Sequence, residues 1–163
     1  MKKTLIATLL FSIILTNCND AKKKENTTET IAAEETHKEV KTDTKSNSIN
    51  NDWIADIKLD GTVKWEANIE TTQGVNKMKK IVSETNPKTI EDYHTLASLL
   101  NEEKNLVIQE CTMKGPSHDN LHVFLLPLIE KISLLLETTS IQEGSDITTS
   151  IIENLNAYEN YFQ

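Results

Sequence analysis

The sequence predicts an all-α domain: an antiparallel, up-down-up-down four-helix bundle with a short extended lead-in. Three observations carry that prediction. Apolar side chains recur at helical spacing in four stretches of similar length after residue 60. Short breaks at Pro87, Lys114-Gly115-Pro116 and Gly144-Ser145-Asp146 separate them, and short connections make successive helices antiparallel neighbours. Composition also changes at Asn51-Asp52-Trp53, leaving 52–163 for one modest core.

The lead-in holds Trp53, Ile54, Ile57 and Leu59 before the turn signal Asp60-Gly61, and reads as an extended or hairpin segment against the domain. The first helix is expected over Val63–Glu84, with Asn68, Thr71, Val75, Met78 and Val82 on one track. Trp65, Ile69 and Thr72 flank that track. The second, Thr89–Thr112, repeats Tyr93, Leu96, Leu100, Val107 and Cys111. The third, Pro116–Thr138, opens on a proline suited to the first helical position. Its buried side is expected to carry His118, Leu121, His122, Leu125, Leu128, Ile132 and Leu135. Pro127, in its middle, takes a donor away from the Val123 carbonyl and predicts a kink. The fourth is expected from Gly144, capped by Ser145 or Asp146, with Ile147, Ile151, Leu155, Tyr158 and Phe162 aligned.

Residues 1–17 read as a signal peptide, with Lys2 and Lys3 ahead of an apolar run from Leu5 to Leu15 too short to span a bilayer comfortably. Leu15-Thr16-Asn17-Cys18 resembles a bacterial lipobox. That resemblance implies cleavage before Cys18, a diacylglyceryl thioether on its sulfur and acylation of its new amine. Residues 18–51 then form a lipidated tether: Asn19–Asn51 carries seven acidic and six lysine side chains and no aromatics. Such a segment buries too little apolar area to offset chain entropy. The expected location is the cell envelope, lipid-anchored and extracytoplasmic, periplasmic or surface-exposed. The chain has a net charge of −8 and no arginine, which argues against a nucleic-acid partner.

With Cys18 taken by lipid, Cys111 has no partner within the chain. A lone thiol in an oxidising compartment is buried, paired between chains or bound to metal, and all three readings are open. Bundle topology gathers Trp65, Asn68, Cys111, Met113, His118, His122, Tyr158, Tyr161 and Phe162 at one pole. Cys111, His118 and His122, with Met113 as a weaker fourth, form a candidate ligand set for copper or zinc. Trp65, Asn68, Tyr158 and Tyr161 would surround it. The competing reading has the histidines bonded to each other, to backbone or to tyrosine hydroxyls, with Cys111 packed as a small hydrophobe. His94 and Met78 fall near the opposite pole, roughly 25 Å away at ~1.5 Å per residue, and are excluded. No catalytic set is visible, and the chain reads as a non-enzyme. The alternative function is an envelope accessory protein that receives a partner protein or small ligand at the same pole.

The stretch CTMKGPSHDNLH, Cys111 to His122, resembles a motif of small helical extracytoplasmic lipoproteins of the Bacteroidota, a CTMKGxxHDxLH-type pattern. Trp65-Glu66-Ala67-Asn68 and the aromatic end Tyr158-x-x-Tyr161-Phe162 extend the likeness over most of 61–163. The resemblance implies a helical fold and that compartment, and it implies no activity.

Overall fold

Four long helices account for most of the described chain, residues 49–163 of a computed structural model. They are α1 (Ile69–Glu84), α2 (Ile90–Glu110), α3 (Pro116–Leu136) and α4 (Ile141–Tyr161), preceded by one 3-10 turn, Asp52–Ala55. The expected signal peptide, Cys18 and the expected tether to Ser48, His37 included, lie outside the described residues. Each helix packs on the next, and α4 returns to α1, with a lesser diagonal contact between α2 and α4. This is the four-helix bundle expected from the periodicity. Among the described residues there is no strand beyond two isolated bridges, and no helix is long and apolar enough to cross a membrane.

The core is built from Val75 and Met78 of α1, Leu96, Ala97 and Leu100 of α2, Leu121, Phe124 and Leu128 of α3, and Ile147, Ile151 and Leu155 of α4. Helix starts follow local chemistry. Thr89 accepts from the Asp92 amide while the Asp92 carboxylate accepts from the Thr89 amide, a reciprocal capping box. Gly115, at φ +63°, makes the reversal before Pro116, which opens α3 as its sequence position predicts. The helix then runs unbroken through Pro127.

Three boundaries differ from expectation. α1 begins at Ile69 rather than Val63, because Trp65 and Ala67 spend their backbone groups on the C-terminus. Trp65 N–H donates to the Tyr161 carbonyl at 2.8 Å, Gln163 N–H to Trp65 at 3.0 Å, and Ala67 N–H to Gln163 at 3.0 Å. α4 begins at Ile141, three residues before Gly144. Ser140 caps it by accepting from the Glu143 amide, so neither Ser145 nor Asp146 does so. Gly144 therefore lies inside the helix, where a Cβ would stand 2.7 Å from ring carbons of Tyr93. The lead-in forms the Asp52–Ala55 turn and then the Asp60–Val63 reversal, with Gly61 at φ +63°. Contacts with the bundle begin at Ile49, ahead of the boundary read from composition, since Ser150 donates to the Ile49 carbonyl and Trp53 is buried.

α1 lies close against α2 at Gly74, where a Cβ would stand 2.2 Å from Val107 Cγ2. Gly74→Ala is expected to lower stability by about 1–2 kcal/mol, because overpacking of about 1–3 kcal/mol exceeds the ~1 kcal/mol gain in helix propensity. Urea unfolding checks this through a lower midpoint at constant slope. A raised midpoint would mean that the two helices separate without penalty.

Candidate metal site at one pole of the bundle

The pole is set by the α2–α3 connection. Cys111 is the C-cap of α2, already extended at φ −67° and ψ 120°. Four residues later Gly115 turns the chain into α3, which brings His118, on its first turn, back toward the end of α2. The result is a direct contact: Cys111 Sγ lies 3.7 Å from His118 Nδ1. Both side chains are half-buried. His122, one turn further on, stacks obliquely on His118 with ring centroids 4.3 Å apart and planes at 58°.

His122 is not on the buried side. Leu121, Leu125, Leu128, Ile132 and Leu135 define the buried arc of α3, and His122, one residue on from Leu121, is turned by about 100° into solvent. A spacing of four from His118 does not carry His122 into the core, because His118 itself sits only at the edge of the arc. Cys111 consequently meets His118. Met113 packs half-buried against the core. Among the described residues, no group of three or more His, Cys, Asp or Glu side chains is drawn together to hold a metal ion. Two expected ligands are thus in contact, the third borders them from the solvent side, and Met113 has a packing role.

The four surrounding residues are at the pole and are engaged in holding it together. The Trp65 indole donates to the Lys58 carbonyl at 2.6 Å, besides the backbone seam to the C-terminus. The amide of Asn68 spans the ends of α1 and α2, donating to the Glu110 carbonyl at 3.1 Å and accepting from Thr71 at 2.7 Å. An α2 carbonyl left open at the helix end is thereby satisfied. Tyr158 is buried, stacked on Phe162 at 4.9 Å, with its hydroxyl 2.9 Å from that of Thr72. Burial pushes its pKa up, the Thr72 hydrogen bond opposes this, and charge on Cys111 adds to the rise. Tyr161 meets Trp53 edge-on at 6.3 Å.

The chain matches no family model, no curated protein and no solved structure. The local chemistry therefore carries the functional argument.

A second polar cluster escaped the sequence reading. Lys131 has no exposed surface, and its ammonium donates to Asn154 Oδ1 at 2.9 Å and to Asn51 Oδ1 of the lead-in. Asn51 Nδ2 in turn donates to Glu153 at 2.9 Å. Burial lowers the Lys131 pKa to about 8, against the opposing influence of Glu153 and Glu130. The signal was visible: Lys131 follows Leu128 by three and precedes Leu135 by four, and Asn154 stands likewise between Ile151 and Tyr158. His94 is half-buried, with Nε2 2.9 Å from the Thr138 carbonyl.

Proposed function

We propose that this protein is a lipid-anchored, non-catalytic envelope protein that binds a soft transition-metal ion, reduced copper before zinc, through Cys111 and His118. His122 would be recruited from the solvent side. The observation that supports this reading most is the 3.7 Å separation of Cys111 Sγ and His118 Nδ1. Bond lengths of about 2.3 Å to thiolate and about 2.0–2.1 Å to imidazole place two ligands of one trigonal or tetrahedral ion roughly 3.5–3.8 Å apart. The pair thus matches the edge of a coordination polyhedron without backbone movement. Thiolate with imidazole favours copper or zinc over hard cations, and a half-buried thiolate favours the reduced copper ion. The envelope location rests on the lipobox-like Leu15–Cys18 stretch, and the likeness to Bacteroidota lipoproteins points to the same compartment.

Titration of the full mature chain with Cu(I) under reducing conditions, against a competing chelator, tests the reading. One equivalent is expected to bind. Cys111→Ser is expected to weaken binding at least 100-fold, His118→Ala about 10–100-fold, and His122→Ala less. Equal binding by wild type and Cys111→Ser would overturn it and leave the contact as an internal S–H···N hydrogen bond. The pole would then be read as a docking face for an envelope partner.

A further inference from the structure

Lys58-Leu59-Asp60-Gly61-Thr62-Val63-Lys64 is a short reversal in which every residue is exposed. Its turn closes through two backbone bonds, Asp60 N–H to the Val63 carbonyl at 3.0 Å and Val63 N–H to the Asp60 carbonyl at 3.1 Å, around Gly61 at φ +63°. Both arms are clamped at their base. The Lys58 amide donates to the Asn120 side chain of α3 at 2.9 Å, and the Trp65 indole donates to the Lys58 carbonyl at 2.6 Å. Trp65 is also tied through its backbone to Tyr161 and Gln163. The tip therefore stands on a fixed base. Turns are ordinarily polar, but two large apolar side chains flank this one, Leu59 at 38% exposure and Val63 at 56%. Lys58 and Lys64 bracket them, so a chain of net charge −8 here carries two lysines against one aspartate.

Resting on the lipid-anchored part of the reading above and not on the metal, we propose that this hairpin docks on the phospholipid bilayer that holds the anchor. Leu59 and Val63 enter the boundary between headgroups and acyl chains, and Lys58 and Lys64 reach the lipid phosphates. Position in the chain favours that occupant: Cys18 lies 31 positions before Ile49, and the hairpin begins nine after it. Tethering keeps the tip at a high effective concentration beside the surface, so a weak contact is populated. Lysine stems lie along apolar surface while their ammonium groups stay among the headgroups. An anionic surface repels the acidic remainder of the chain, which turns the basic tip toward it. The turn's own backbone groups need water or headgroup oxygens, and this limits entry to the interface.

The test uses the full mature lipoprotein in vesicles of phosphatidylethanolamine and phosphatidylglycerol, with part of the lipid brominated on its acyl chains. In a Cys111→Ser background, Thr62→Cys carries an environment-sensitive fluorophore. Thr95→Cys, on the exposed surface of α2, carries the same label as a control. Quenching and a blue shift are expected at position 62 and not at 95. Leu59→Asp with Val63→Asp is expected to abolish both signals. Lys58→Gln with Lys64→Gln is expected to weaken the contact about tenfold on these vesicles and far less on phosphatidylcholine. Helix content by circular dichroism should be unchanged throughout, because all four hairpin positions are exposed. Equal signals at 62 and 95, or quenching that survives the double aspartate change, would overturn the proposal. A tip that is shielded only when envelope proteins are added would also overturn it, and would assign the hairpin to a protein partner. A mature chain whose mass shows no lipid on Cys18 would overturn the anchored reading itself, and is recognised before any vesicle is made.

Discussion

Truncation of Phe124 to alanine is expected to lower stability by about 3–5 kcal/mol, a large share of the ~5–15 kcal/mol that holds a small domain folded. The ring has no exposed surface and joins three others: Trp53 at 5.7 Å, Tyr158 at 5.3 Å and Phe162 at 6.2 Å, each edge-on. Its loss removes buried area and those ring contacts together, the latter adding about 0.5–1.5 kcal/mol per pair. Phe162 anchors the end of the chain whose neighbours, Tyr161 and Gln163, bond to Trp65 and Ala67. Denaturant unfolding should therefore show a lower midpoint, and hydrogen exchange should accelerate at the Trp65, Ala67 and Gln163 amides before the centre of α3 does. Phe124→Leu is expected to cost roughly half as much or less. Exchange at the seam that matches wild type would mean the backbone bonds hold the pole without the rings.

The same seam explains what could be read from the sequence and what could not. Four helices were legible because burial leaves a periodic trace, and Leu121, Leu125, Leu128, Ile132 and Leu135 are such a trace. The start of α1 was not, because Trp65 and Ala67 continue a plausible helical register while their true partners lie almost a hundred residues away. At α4 Gly144 reads as a break, but Ser140 accepts from the Glu143 amide and starts the helix at Ile141. The cap prevails, and the glycine is required by the Tyr93 ring that lies against it. At the pole, topology correctly gathers Cys111 and His118. His122 was misplaced because spacing of four keeps two residues adjacent without stating which edge of the buried arc they occupy. Lys131 shows the opposite case: its register three after Leu128 and four before Leu135 points inward, while a lysine side chain by type points to the surface.

Asn154→Leu is the second large effect, and its size depends on pH. The buried Lys131 ammonium has two amide oxygens facing it, from Asn154 and Asn51, with Glu153 one bond further out. Removing one oxygen leaves a buried charge half-satisfied, at a cost of about 3 kcal/mol near pH 7. Lys131→Met in the same background removes the charge that needed the partner, and should restore about 2 kcal/mol; a double-mutant cycle reads this coupling directly. Lys131 titrates near 8 in the folded chain against 10.5 ordinarily. Between those values the unfolded chain holds a proton that the folded chain has lost, so stability rises with pH across that window. Below pH 8 both states are charged and the burial penalty stands in full. Relative to Lys131→Met, the wild type should gain up to roughly 3 kcal/mol on passing from pH 8 to 10.5. Tyr158, whose pKa is raised, pushes stability the other way above pH 10, but it is common to both proteins and cancels in the difference. In Asn154→Leu the loss should shrink as pH rises through 8, because the neutral amine tolerates a single partner. A loss that is constant from pH 7 to 10 would show that Asn154 acts through its bond to the Phe124 carbonyl, 3.3 Å away, and that the ammonium does not depend on it.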